Sequence, residues 1–182
     1  NCIMTNDDII YNVVINNGLT PNAATNLVAQ GRLESGNYSS NLFNTDNNAF
    51  GYKYVGQSGA SQGILTSQNE WNDSNVPEYY AHYNSLNDSA LEIIHWINRR
   101  IADGTFQMSD LETPQSYAQA FKNGDYYGES AVQYSQDLIS EIKNNLLNGL
   151  KSAGQTIQNN PLTSIGVGIL IILLILSTKK SK

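Results

Sequence analysis

The first third of the chain alternates polar caps with runs whose apolar positions follow helical spacing. Thr5 is placed to cap a helix over NDDIIYNVVI, with Asp7 and Asp8 in its positive first turn and Asn16, Asn17 and Gly18 closing it. A second helix follows: Thr20 caps, Pro21 takes the first helical position and Gly36 supplies the stop. On that helix Ala24, Leu27, Val28, Gly31 and Ser35 share a face, and Glu34 falls at the edge of the stripe.

From Phe43 to Tyr83 the pattern changes to short aromatic and β-branched runs, FGYKYV, GILT and YYAHY, separated by Gly, Ser and Asn. That predicts a small antiparallel sheet or irregular lobe. Helical spacing returns in SLNDSALEIIHWINRRIADG, with Ser85 as cap and Gly104 as stop, and Trp96 is expected in the core. Two further helices are expected at 114–122 and 129–151. The fold class is α+β, mainly α: a helical domain interrupted by one β-lobe.

The strongest compositional contrast lies at the C-terminal end. PLTSIGVGILIILLILSTKKSK carries no charge from Pro161 to Thr178 and then three lysines. Its apolar stretch of about 16 residues would span roughly 24 Å as helix, somewhat short of a hydrocarbon core of ~30 Å, and snorkelling lysines or local thinning can close the gap. A single-pass membrane anchor is expected at 162–178, with lipid as its partner and a basic tail, 179–182, on the cytoplasmic side or its equivalent. Residues 1–150 then form one domain, and 151–161, containing SAGQTIQNN, a polar linker or helix end.

At 182 residues the chain accommodates one domain of ordinary size plus an appendage. Ten basic residues against 16 acidic ones leave a net charge of −6, which excludes a phosphate-neutralising nucleic-acid surface. Cys2 is the single cysteine, so packing alone must hold the fold. The N-terminal NCIMTNDDII has neither the basic nor the apolar region of a secretory signal. His82 and His95 have no ligand-spaced companions and no phosphate loop is evident, so neither metal nor cofactor is expected.

Glu34 is the candidate chemical group. Partial loss of water and the negative end of its helix both disfavour its ionised form, and a proton donor working near neutral pH needs that bias.

The stretch AQGRLESGNYSSNLFNTDNNAFGYK resembles the signature of the glucosaminidase family of peptidoglycan hydrolases, flagellar-type and autolysin N-acetylglucosaminidases of lysozyme-like fold. The matching positions are Ala29, Gln30, Leu33, Glu34, Ser35, Gly36 and Ser40, then Asn47, Asn48, Phe50, Gly51 and Lys53, with Ala49 and Tyr52 departing from the pattern. Looser likeness extends over about residues 5–145. The resemblance implies a lysozyme-like domain that cleaves the glycan strand of peptidoglycan at N-acetylglucosamine. It makes Glu34 the general acid and Glu70 the second carboxylate, with Glu78 its rival. Tyr127, or Tyr126 given an ambiguous spacing to Tyr134, becomes a cleft tyrosine, and Gln30, Ser35, Asn48, Phe50 and Tyr126 are assigned to substrate binding.

Joined to a tail anchor, such a domain would suit a membrane-containing phage or virus particle, with virion or envelope proteins as partners. A muramidase or lytic transglycosylase of the same fold, and a non-catalytic wall-binding or structural membrane protein, are the alternatives.

Overall fold

The computed structural model describes residues 4–67 and 76–159. The chain divides into two compact units, Asn1–Ile142 and Lys143–Lys182, and every side chain considered below belongs to the first.

Among the described residues six α-helices and one β-ribbon follow in order: α1 (Asn6–Asn16), α2 (Pro21–Glu34), α3 (Asn41–Asp46), β1 (Ala60–Leu65), β2 (Tyr79–Tyr83), α4 (Leu86–Ala102), α5 (Pro114–Asn123) and α6 (Ala131–Asn159). The caps read from the sequence are in place. Thr5 and Asp8 form a reciprocal capping box on α1, Thr20 accepts from the Ala23 amide, Ser85 accepts from the Asp88 amide, and Gly36 and Gly104 follow their helices with positive φ.

The core lies where α1, α2, α4, α5 and the start of α6 converge. Ile10, Val14, Leu27, Ile93, Ile94, Ile97, Tyr117, Phe121, Tyr134 and Leu138 are buried there in one contiguous cluster. Trp96 joins it as expected, packed against Phe106, Phe121 and Tyr126. α2 is buried more completely than a single apolar stripe predicts, because Asn26, Ala29 and Gln30 are enclosed as well. It is the central helix, with neighbours on several sides, and its small residues permit close approach. A Cβ on Gly31 would come within 2.9 Å of Ile10 Cδ1 and 3.5 Å of the Phe50 ring.

The β-lobe is smaller than FGYKYV, GILT and YYAHY suggest. β1 and β2 pair antiparallel, Ala60 opposite Tyr83 and Leu65 opposite Tyr79, with an irregularity between Gln62 and Leu65. The Tyr52–Tyr54 segment borders β2 through a single bridge, Lys53 with Tyr80. Sequence reading did not separate α3 from this lobe. Ser40 starts it by accepting from the Phe43 amide, and Asn47, in the left-handed region at φ 51°, ends it. Its last residue, Asp46, is buried and accepts from the Ile64 amide (2.9 Å) while lying 3.0 Å from His82 Nδ1, which ties the ribbon to the helical body. Gly63 makes room for it, since a Cβ there would lie 2.5 Å from Asp46 Oδ2.

α6 runs through Asn159, so 152–159, expected as linker or helix end, continues that helix. Among the described residues no helix is long and apolar enough to cross a membrane. The run expected to do so, 162–178, lies outside them, as does Glu70.

Candidate active site

Glu34 is the last residue of α2, and the chain turns sharply just beyond it. Gly36, Asn37 and Tyr38 all have positive φ (57°, 56° and 61°), which is unfavourable for a tyrosine and costs on the order of 1–3 kcal/mol per strained non-glycine residue. Several bonds fix the turn. The Ser35 hydroxyl donates to the Gly31 carbonyl (2.5 Å) and accepts from the Tyr38 amide (2.8 Å). The Tyr38 hydroxyl donates to Asp7 (2.9 Å), and Arg32 grips both oxygens of Asp7 and also reaches Asn37 and Glu141. The end of α2 is thereby braced against α1 and α6.

A partly buried carboxyl results, with a defined partner. Tyr134, only 2 % exposed on the first turns of α6, donates its hydroxyl to Glu34 Oε1 at 2.8 Å. Tyr127 stacks on Tyr134, ring centroids 4.0 Å apart and planes 20° from parallel, and its own hydroxyl donates to the Ala118 carbonyl. The Tyr126 hydroxyl donates to the Phe50 carbonyl, and its ring meets the edge of Tyr52. That bond anchors the backbone next to Gly51, which adopts φ 68°, a conformation that favours glycine, and lies beside the carboxyl: a Cβ there would stand in ordinary contact, 3.9 Å from Glu34 Oε2. With Oε1 receiving the tyrosine proton, Oε2 is the oxygen left to carry the carboxyl's own proton, on the Gly51 side.

The electrostatics agree with a proton donor. Burial pushes the Glu34 carboxyl above its ordinary range, the negative charge of Glu129 adds to the rise, and the Tyr134 hydroxyl opposes it by favouring the ionised form. Burial, reinforced by Glu34, holds Tyr134 itself far above its ordinary value, so it stays a neutral donor.

The residues assigned to substrate contact divide into two groups. Glu34, Tyr126 and Tyr127 come together here. Gln30, Ser35, Asn48 and Phe50 are 0–1 % exposed and form the frame behind the site. Gln30 accepts from the Tyr117 hydroxyl, and the Asn48 amide ties the Tyr52 and Ala81 carbonyls (2.8 and 2.9 Å), joining the Gly51 turn to β2. Side chains so enclosed brace the surroundings of Glu34 and have no surface to offer a ligand. Glu78, the rival second carboxylate, forms an ion pair with Lys53. Sequence reading did not place Tyr134 beside Glu34; the only signal for it was its position as the next tyrosine after Tyr126 and Tyr127.

The sequence profile of the glucosaminidase family, described as mannosyl-glycoprotein endo-beta-N-acetylglucosaminidase, matches residues 17–147. The chain belongs to this family. A comparison with curated protein sequences finds no match. Among solved structures the glucosaminidase chain is similar in fold to a peptidoglycan hydrolase from Sphingomonas sp. A1, at 20% identity and TM-score 0.56, covering 80% of this chain and 88% of that one. It is similar also to the catalytic domain of the autolysin Auto from Listeria monocytogenes, at 19% identity and TM-score 0.52, covering 76% and 78%. These likenesses show the shared fold, mainly helical with one small antiparallel ribbon.

Family membership makes the chain a glycoside hydrolase of N-acetylglucosaminidase type, and the raised affinity of Glu34 for its proton then carries a cost in stability. A carboxyl that binds its proton more tightly folded than unfolded stabilises the fold below its ordinary titration range, and that stabilisation is lost as pH rises through the folded pKa. Glu34→Gln, which mimics the neutral form, is therefore expected to melt at or above the wild-type temperature at neutral pH, with the difference vanishing below pH ~4. Thermal denaturation across that range checks it, and a variant that melts lower at neutral pH would show the ionised carboxylate to be the stabilising form.

Proposed function

We propose that this glucosaminidase hydrolyses the glycan strand of peptidoglycan at N-acetylglucosamine, with Glu34 as general acid. One observation carries the reading: a sheltered carboxyl at the end of α2 whose hold on its proton burial strengthens, one oxygen bonded by a neutral tyrosine and the other beside a glycine. Glu34 Oε2 gives its proton to the leaving glycosidic oxygen, and water supplies the hydroxyl to the anomeric carbon and a proton that restores the acid. Glu70 stays the proposed second carboxylate. The fold shared with a peptidoglycan hydrolase and an autolysin supports this substrate.

The full chain is expected to clear cell walls in a zymogram and release fragments ending in reducing N-acetylglucosamine, while Glu34→Gln loses at least ~100-fold, the usual share of a positioned acid. Mass spectrometry of the digest decides among the alternatives. Reducing N-acetylmuramic acid would indicate a muramidase, an anhydro end a transglycosylase, and equal clearing by both chains, or none by either, would contradict catalysis at Glu34.

The apolar run 162–178 with its lysine tail supports a further part of the proposal, that the enzyme works tethered to lipid. A membrane-containing phage or virus particle is a setting that needs a wall hydrolase at such a surface. The full chain should float with phospholipid vesicles and a chain ending at Asn159 should not; flotation of both would assign the membrane contact elsewhere.

A further inference from the structure

We propose that Glu129 is a working carboxylate of this active site, facing the positive charge that develops on the sugar during bond cleavage. This rests on the hydrolase reading above and adds to it a residue outside the family signature and outside the proposed Glu34–Glu70 pair.

The placement of Glu129 begins with its backbone. It lies in the short connection between α5 and α6, two residues beyond Tyr127, whose ring stacks on the tyrosine that holds Glu34. That connection is fastened on both sides of Glu129. Before it, Lys122 Nζ donates to the carbonyls of Tyr127 (3.3 Å) and Gly128 (2.9 Å) while lying 5.8 Å from the centre of the Tyr127 ring. After it, the Ser130 hydroxyl accepts from the Gln133 amide (3.1 Å) and the Ser130 carbonyl accepts from the Tyr134 amide (3.1 Å), so the same turn of α6 fixes Ser130 and the tyrosine on Glu34. The side chain itself is exposed and so reachable by a ligand. A group whose backbone is held while its carboxylate stays in solvent is placed to meet a substrate without first being ordered.

Charge points the same way. The titratable groups that act on Glu34 or feel its charge are Tyr134 on α6, Tyr126 in the connection, Tyr117 on α5 and Glu129. Burial holds the three tyrosines neutral, which leaves Glu129 as the one formal charge among the described residues acting on the acid. The two carboxylates also stand at opposite helix poles: Glu34 at the negative end of α2, Glu129 immediately ahead of the positive end of α6. An oxocarbenium-like transition state places its positive charge next to the oxygen that Glu34 protonates, and an anion fixed nearby stabilises it more than it stabilises the neutral ground state.

The experiment compares kcat, KM and the pH profile of the full chain with those of Glu129→Gln and Glu129→Asp on soluble peptidoglycan fragments. Glu129→Gln is expected to lower kcat ~10-fold or more with KM little changed. It should also move the alkaline limb of the profile to lower pH, because removing a negative charge lets Glu34 lose its proton sooner. Glu129→Asp, keeping the charge, should restore most of the limb's position. A purely structural role would leave the limb where it is, and equal melting temperatures would show that the exposed substitution spares the fold. A Glu129→Gln enzyme with wild-type kcat and an unmoved limb, beside an active wild type, overturns the role of Glu129 and leaves the hydrolase reading intact. A wild-type chain inert on peptidoglycan overturns both.

Discussion

The hydrogen bond from Tyr134 to Glu34 joins residues 100 positions apart in sequence, and the arrangement of the helical body follows from making it possible. A carboxyl with the proposed role of donating a proton to a sugar has to be withdrawn from water, yet withdrawal leaves its oxygens in need of partners. One neutral hydroxyl meets both demands: it satisfies Oε1 without contributing a charge that would pull the proton off. A lysine or arginine at position 134 would satisfy the oxygen equally well and would ionise the acid. Tyrosine held far from its own titration range is the partner that leaves Glu34 able to donate.

Keeping two helix ends in register to within one hydrogen bond requires support from several directions. Arg32, Asp7 and Tyr38 brace the end of α2 against α1, and three consecutive left-handed residues turn the chain away so that it does not cover the acid. Tyr126 anchors the Phe50 carbonyl and with it Gly51, whose left-handed backbone lies beside the second oxygen. Gly124 permits the whole connection to lie against Trp96, since a Cβ there would sit 2.7 Å from the indole ring. Strain at Tyr38 and a buried carboxyl at Glu34 are destabilising features concentrated at the reacting group, with the surrounding packing offsetting them.

Local chemistry made most of this fold legible. Thr5, Thr20 and Ser85 announce helix starts because their hydroxyls have one good use there, and Gly36 and Gly104 announce stops because few other residues accept their backbone angles. Glu34 was legible twice, from its position at a helix end on the rim of an apolar stripe and from the motif around it. What escaped was decided by distant partners. Gln30, Ser35 and Asn48 look like ligand-binding polar residues in a linear motif, and only the folded chain shows them enclosed, with Gln30 Oε1 bonded to Tyr117, the Ser35 hydroxyl to Gly31 and the Asn48 amide to Tyr52 and Ala81. α3 was hidden because its six residues are too few to show a period. Glu129 carries no local mark: an exposed glutamate before a helix is ordinary until the helix behind it proves to hold the acid.

The proposed acid catalysis therefore depends on the protonation state of one side chain. Carbon-13 NMR of the Glu34 carboxyl, assigned by comparison with Glu34→Gln, reads it directly. Glu34 is expected to titrate above the other glutamates of the wild-type chain and higher still in Tyr134→Phe, where the bond that favours its ionised form is gone. A Glu34 that titrates with the exposed glutamates, or one that moves to lower pH when the Tyr134 hydroxyl is removed, would contradict it.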